Sequence, residues 1–137
     1  MPINTKLDHH LRQLRHELHA HPELSHQEIE TTKRLKQKLE DAGIRILDIP
    51  LKTGLVAQID GAHPGPLVVL RADIDALPIQ EETELEFVSQ NSGVMHACGH
   101  DFHAAALFGA ALLLKEKAAD LSGSVRLLFQ PAEETGL

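Results

Sequence analysis

The stretch Met95-His96-Ala97-Cys98-Gly99-His100-Asp101-Phe102-His103 gathers three imidazoles around the single cysteine of the chain. Imidazole nitrogen and thiolate sulfur together suit zinc and its borderline-soft neighbours. In an extended segment His96, Cys98 and His100 would point to one side, because strand side chains alternate with period two. Gly99 permits a turn that could bring donors onto one ion. Asp101 adjoins His100, where a carboxylate can orient a ligand from behind or cap a helix. His103 could join from the first helical turn. A free cysteine is usually just a small buried residue, and it is the neighbouring imidazoles that favour Cys98 as a ligand.

A second cluster, Gln130-Pro131-Ala132-Glu133-Glu134, places two carboxylates side by side. At an extended strand end they would face opposite ways and could do different work. One can ligate a cation while the other takes a proton from water, the pairing a metallohydrolase requires. A solvated acidic turn is the ordinary alternative, but the apolar strand and Pro131 before the pair favour function. A third cluster is Arg71-Ala72-Asp73-Ile74-Asp75. Asp73 is the better candidate to orient a ligand, and Asp75 reads as an ordinary ion-pair partner of Arg71. The N-terminal histidines fall on the other side of the balance. His16-Glu17-Leu18-His19 would need a histidine at position 20 to make a zinc-protease helix, and Ala20 stands there. His9, His10, His16 and His26 are therefore assigned no ligand role. The chain contains no Walker loop, GxGxxG or GxSxG.

These clusters need elements to hold them. Leu7, Leu11, Leu14 and Leu18 form one stripe of an amphipathic helix from Thr5 to about Ala20, which His21-Pro22 ends. Ser25 to Glu28 reads as a capping box opening a second helix that stops near Gly43. Ile44–Ile49 and Leu55–Ile59 read as half-buried strands. Leu67–Leu70 is a continuous apolar run suited to a central strand covered on both faces. The acidic stretch Gln80–Ser92 shows no period. Asp101 to about Ala119 reads as a helix apolar nearly all round, hence deeply buried. Ser124–Phe129 makes the last strand. The expected class is α/β, with a mixed central sheet flanked by helices. Two strands then lead into the Asp73 and Glu133 clusters at their carboxyl ends, where open α/β sheets bind ligands.

Composition narrows the partners. With 13 Lys and Arg against 20 Asp and Glu, the formal charge of −7 argues against nucleic acid. Four Phe and no Tyr or Trp leave little with which to stack bases. The longest apolar run, Ala104–Leu114, is too short for a bilayer. The N-terminus has no signal-peptide core, so the cytoplasm is the expected location.

Four motifs occur together in order: His19-Ala20-His21-Pro22-Glu23-Leu24-Ser25, Arg71 to Pro78, Gly93 to Asp101, and Leu128 to Glu134. In this the chain resembles the aminoacylase and hippurate-hydrolase branch of the metal-dependent amidohydrolase and carboxypeptidase family, the N-acyl-L-amino acid amidohydrolases. The resemblance implies a zinc-exopeptidase-like catalytic domain and hydrolysis of the amide bond of N-acyl amino acids. It implies two divalent metals per complete site, zinc, manganese or cobalt. Carried over by motif, Cys98, His100 and Glu134 resemble metal ligands, and Glu133 resembles the general base. Asp73 resembles the acid that steadies the site from behind the ligands. Arg71 stands where more distant relatives use a ligand histidine, and His96 and His103 match the pattern without an assigned role.

Family members run to several hundred residues, supply two further histidine ligands beyond the Glu-Glu motif, and carry a smaller lid domain that often dimerises. The resemblance therefore implies that residues 1–137 are the N-terminal part of the catalytic domain, with its remainder and the lid and dimerisation domain absent. Two other outcomes stand beside the metal-dependent hydrolase. One is a thiol amidase with Cys98 as nucleophile. The other is an inactive truncated fragment with at most partial metal binding, which is the expectation for the isolated chain.

Overall fold

The leucine stripe does make a helix. The computed structural model describes residues 4–136, and in it α1 runs Thr5–Ala20 with Leu7, Leu14 and Leu18 buried. Asn4 caps its start, the side chain accepting the Leu7 N–H at 2.8 Å. The second helix, α2, is Ile29–Asp41 and buries Thr31, Leu35 and Leu39. Then follow the short β1 (Arg45–Ile46), β2 (Leu55–Asp60) and β3 (His63–Asp73). A long irregular passage leads to α3 (His100–Glu116), a 3₁₀ turn at Ala118–Asp120, and β4 (Ser122–Gln130).

The four strands form one mixed sheet in the order β1-β2-β4-β3. β2 is antiparallel to β1 and β4, while β3 and β4 are parallel, joined through α3. Leu55, Ala57 and Ile59 of β2 stand opposite Phe129, Leu127 and Val125 of β4, so one face of the sheet is apolar. Against it pack Leu14 and Leu18 of α1, Leu35 and Leu39 of α2, and Ala104, Phe108 and Ala111 of α3. Each fully buried Leu or Phe contributes about 1.5–3 kcal/mol, which is what holds the crossover in place. The expected α/β class with a mixed sheet is what the structure contains.

The crossover matters for the chemistry. Because β3 and β4 are parallel and Asp73 is in register with Gln130, both strands finish at the same edge. Two isolated bridges bring in the other segments: Leu24 to Ala76, and Leu77 to Met95. Glu23 and Leu24, Ala76 and Leu77, and Met95 thus lie side by side beyond the end of β3.

Three expectations need correction. Leu67–Leu70 lies in an edge strand, not a central one, and Leu67, Val68 and Val69 are exposed. An apolar run reports what a strand could bury, not what covers it. Of the strand foreseen at Ile44–Ile49 only Arg45–Ile46 pairs. Nor is α3 buried all round, since Phe102 is 65% exposed and Ala106 is exposed too. No helix among the described residues is long and apolar enough to cross a membrane.

Candidate metal centre

His100 occupies the first turn of α3 and is buried. Its Nδ1 lies 2.9 Å from the Asp75 carbonyl oxygen and 3.1 Å from Asp75 Oδ1. A carbonyl can only accept, so Nδ1–H donates and Nε2 is the nitrogen left to meet a ligand. Nε2 faces three carboxylates. Nε2 stands 3.5 Å from Asp73 Oδ2, 3.5 Å from Glu134 Oε1 and 3.6 Å from Glu133 Oε2. These separations are too long for good hydrogen bonds. The 3.5 Å between His100 Nε2 and Glu134 Oε1 matches two donors on one ion, since ligand bonds of about 2.0–2.2 Å in tetrahedral geometry set neighbouring donor atoms about 3.4 Å apart. Glu134 Oε1 is buried and has no hydrogen-bond partner among the described residues, a cost that a bound cation would remove. The donor set therefore fits a divalent metal.

Two overlapping groups of potential ligands share His100: Asp73, His100 and His103, and His100, Glu133 and Glu134. Asp73 also accepts from His103 Nδ1 at 2.7 Å and lies 3.5 Å from the Arg71 guanidinium. The two glutamates do not face opposite ways as an extended strand end would require: they lie in a turn beyond β4 and both reach His100 Nε2, differing instead in how far they are covered. Glu134 is the more enclosed, and the Glu133 side chain is 37% exposed, open to approaching water.

Asp75 is more than an ion-pair partner, which corrects the sequence reading. It is buried and accepts the Ser25 hydroxyl at 2.7 Å and the Glu134 N–H at 3.0 Å, besides orienting His100. Burial pushes its carboxyl up, but those hydrogen bonds outweigh burial and leave it below the usual carboxylate range. This is the carboxylate–histidine arrangement that fixes tautomer and ring direction at metal sites.

His96, Cys98 and His100 do not line one side. Gly99 takes φ +84° as the N-cap of α3 and breaks the alternation. Cys98 is left exposed and outside both ligand groups. Its thiol is nonetheless pushed up, first by a hydrogen bond to Glu134, then by slight burial and the charges of Glu134, Glu133 and Asp75. His96 is buried with neither ring nitrogen partnered, and burial holds it down at about 4.

Asp101 also turns away from the cluster. Its Oδ2 accepts from Arg15 Nε at 2.9 Å and faces His19 Nδ1 at 2.8 Å. His19 Nε2 faces Glu81 at 3.0 Å, and Glu81 accepts from Thr83 and from the Ser89 N–H. Phe87 stacks on His16 with ring centroids 3.9 Å apart. Asp101 thus ties α3 to α1 and to the irregular loop; none of its hydrogen bonds among the described residues reaches a ligand candidate. His19, which makes no zinc-protease helix in the sequence, is the pivot of that network.

A family model described as Peptidase family M20/M25/M40 matches residues 69–137. N-acetylcysteine deacetylase of Bacillus subtilis (strain 168) is 58% identical over 122 residues, covering 88% of this chain and 32% of that protein. N-acyl-L-amino acid amidohydrolase of Geobacillus stearothermophilus is 51% identical over 120 residues, covering 88% and 32%. The crystal structure of Bacillus subtilis YXEP, described as a dinuclear metal binding peptidase from the M20 family, superimposes with a TM-score of 0.94 at 54% identity. That match covers 96% of this chain and 37% of the other. The chain spans about a third of the length of the curated relatives it matches.

Proposed function

The chain belongs to peptidase family M20/M25/M40, and from that premise we propose that it is the metal-holding part of an amidohydrolase that cleaves N-acyl amino acids. The observation that carries the reading is His100 Nε2 facing Asp73, Glu133 and Glu134 at 3.5–3.6 Å. The substrate class follows the deacetylase and amidohydrolase names of the relatives. Residues 1–137 are then the N-terminal part of a catalytic domain, and the rest of the whole protein supplies further ligands and substrate contacts.

A bound divalent ion supplies Lewis acidity, lowering the pKa of water and polarising the amide carbonyl. His100 and Glu134 would hold it, with Cys98 completing its shell from the exposed side, and zinc, manganese and cobalt all suit such donors. Glu133, on the open side of the pair, takes the water proton and returns it to the departing amine. Asp75 keeps His100 in the tautomer whose Nε2 faces the cluster, and Asp73 steadies the second ligand group with His103. A thiol nucleophile fares worse, because it leaves Glu133 and Glu134, both turned to His100 Nε2, without a task.

The test is made in a full-length protein carrying this chain, with N-acetyl-L-cysteine as substrate and metal content measured alongside. Glu133→Gln is expected to lower kcat by about 10²–10⁴-fold with metal retained. Glu134→Gln is expected to lower metal affinity itself. Undiminished hydrolysis after exhaustive chelation, or native kcat in E133Q, would sink the reading.

A further inference from the structure

Glu28 has no exposed surface at all, yet it belongs to neither ligand group. Ser25 to Glu28 reads in sequence as a capping box for α2; Glu28 does hold the N-cap position, but neither side chain caps the helix. The second and third N–H groups of α2 are taken by Glu23, whose carboxylate accepts from Glu30 N at 3.2 Å and Thr31 N at 2.6 Å. Ser25 is spent on Asp75. The Glu28 carboxylate is therefore free to reach elsewhere, and it reaches a residue 104 positions along the chain. Its Oε2 accepts the Ala132 N–H at 2.7 Å and its Oε1 accepts the Thr53 hydroxyl at 3.1 Å.

The backbone at both ends of this contact is unusual. Two non-glycine residues among those described have positive φ: His26 at 67° and Ala132 at 55°. One lies just before Glu28, and the other is the residue whose amide Glu28 holds. Left-handed alanine is disfavoured and persists where its surroundings over-determine it. The packing around it is equally constrained. A Cβ on Gly54, next to Thr53, would meet Pro131 Cδ at 2.5 Å. Gly54 N in turn donates to Thr32 Oγ1, which donates to the Glu28 carbonyl. Directly after Ala132 come Glu133 and Glu134, and the Glu134 N–H is held by Asp75. Two buried carboxylates thus grip alternate main-chain amides of one turn.

We propose that Glu28 is a positioning residue: it locks Ala132 in the left-handed conformation that delivers Glu133 and Glu134 to His100. This rests on the roles proposed above for Glu133 and Glu134. A charged acceptor suits the task, because charge-assisted hydrogen bonds are roughly twice as strong as neutral ones. Glutamine could serve in part, its oxygen accepting from Ala132 and its N–H donating to Thr53.

The test compares Glu28→Ala, Glu28→Asp, Glu28→Gln and Thr53→Val in a full-length protein carrying this chain. The readouts are kcat and KM for N-acetyl-L-cysteine, zinc affinity by chelator competition, and stability in urea. Misplacement of the reacting group by about 1 Å predicts a kcat loss of about 10²-fold in E28A with KM little changed. Zinc affinity should fall about 10-fold or more, as when other outer partners of ligands are removed. E28Q should recover most of both. T53V removes a bond to the same carboxylate but not the grip on the turn, so it should lose stability and keep kcat. Should E28A fail to fold, E28D decides: it keeps the charge but is one methylene too short to hold both partners, so its kcat should fall. Native kcat in E28A or E28D, E28Q no better than E28A, or kcat losses that merely follow stability across E28A and T53V would overturn the proposal. Glu133→Gln separates the two readings: if it is inactive while E28D is native, only the positioning role fails. If E133Q is itself native, the site reading fails and takes this inference with it.

Discussion

Asp75 shows how little of a side chain's task its neighbours in sequence disclose. Its two oxygens serve three donors from three parts of the chain: His100 Nδ1, the Ser25 hydroxyl and the Glu134 N–H. In Asp75→Asn the amide has one oxygen, and its NH₂ must face a donor. Metal affinity is therefore expected to fall roughly 10–100-fold, measured by competition with a chromophoric chelator, while an unchanged affinity would remove Asp75 from the site. The residue was misread for a definable reason. Period two puts Arg71, Asp73 and Asp75 on one side of a strand, but β3 ends at Asp73 and Asp75 lies beyond it. The meeting of His100 with Glu133 and Glu134 was legible from residue types that favour one another at short range. Asp101 was legible only as a neighbour of His100, because a helix turns successive side chains by about 100°, which here carries its carboxylate towards Arg15 and His19.

At the scale of elements, the helices could be read from periodicity, and the irregular stretch Gln80–Ser92 could not. What orders that loop is not a period but one buried carboxylate. Glu81 faces His19 of α1, which faces Asp101 of α3, with Arg15 on the same carboxylate. Burial raises the Glu81 pKa, but hydrogen bonds from Thr83, His19 and the Ser89 N–H outweigh burial and bring it below its ordinary 4.5. A group depressed on folding binds its proton more tightly in the unfolded chain. Its stabilisation is complete above about pH 4.5 and is lost as pH falls through the lower folded value. Glu81→Gln should cost about 2 kcal/mol near neutrality, the scale of charged buried hydrogen bonds. Urea unfolding across a pH series should then show the wild-type advantage shrinking as the solution is acidified below about pH 5. Parallel curves for the two proteins would mean that Glu81 does not carry the loop.

For the whole molecule, the decisive quantity is what covers β3. Parallel pairing with β4 satisfies one of its edges, and among the described residues no strand pairs with the other. Leu67 and Val69 project from one face and Val68 from the other, with Val69 55% exposed. The sequence pattern indicated a buried strand because the residues are those of one. Their burial depends on surfaces that residues 4–136 do not themselves provide. An open edge flanked by exposed aliphatic side chains is a template for strand pairing. The first part of the strand is blunted, since Pro64 and Pro66 have no N–H to offer. Residues 67–73 carry no such protection. The 137-residue chain by itself is therefore expected to self-associate as its concentration rises, seen by light scattering coupled to size exclusion. Val69→Lys should shift that equilibrium to monomer, because a charge on an edge strand opposes pairing. The same change should alter unfolding stability by only about 0.5 kcal/mol, as exposed substitutions do. A wild-type chain that stays monomeric at high concentration, or a V69K variant that associates equally well, would show that the β3 edge is already protected.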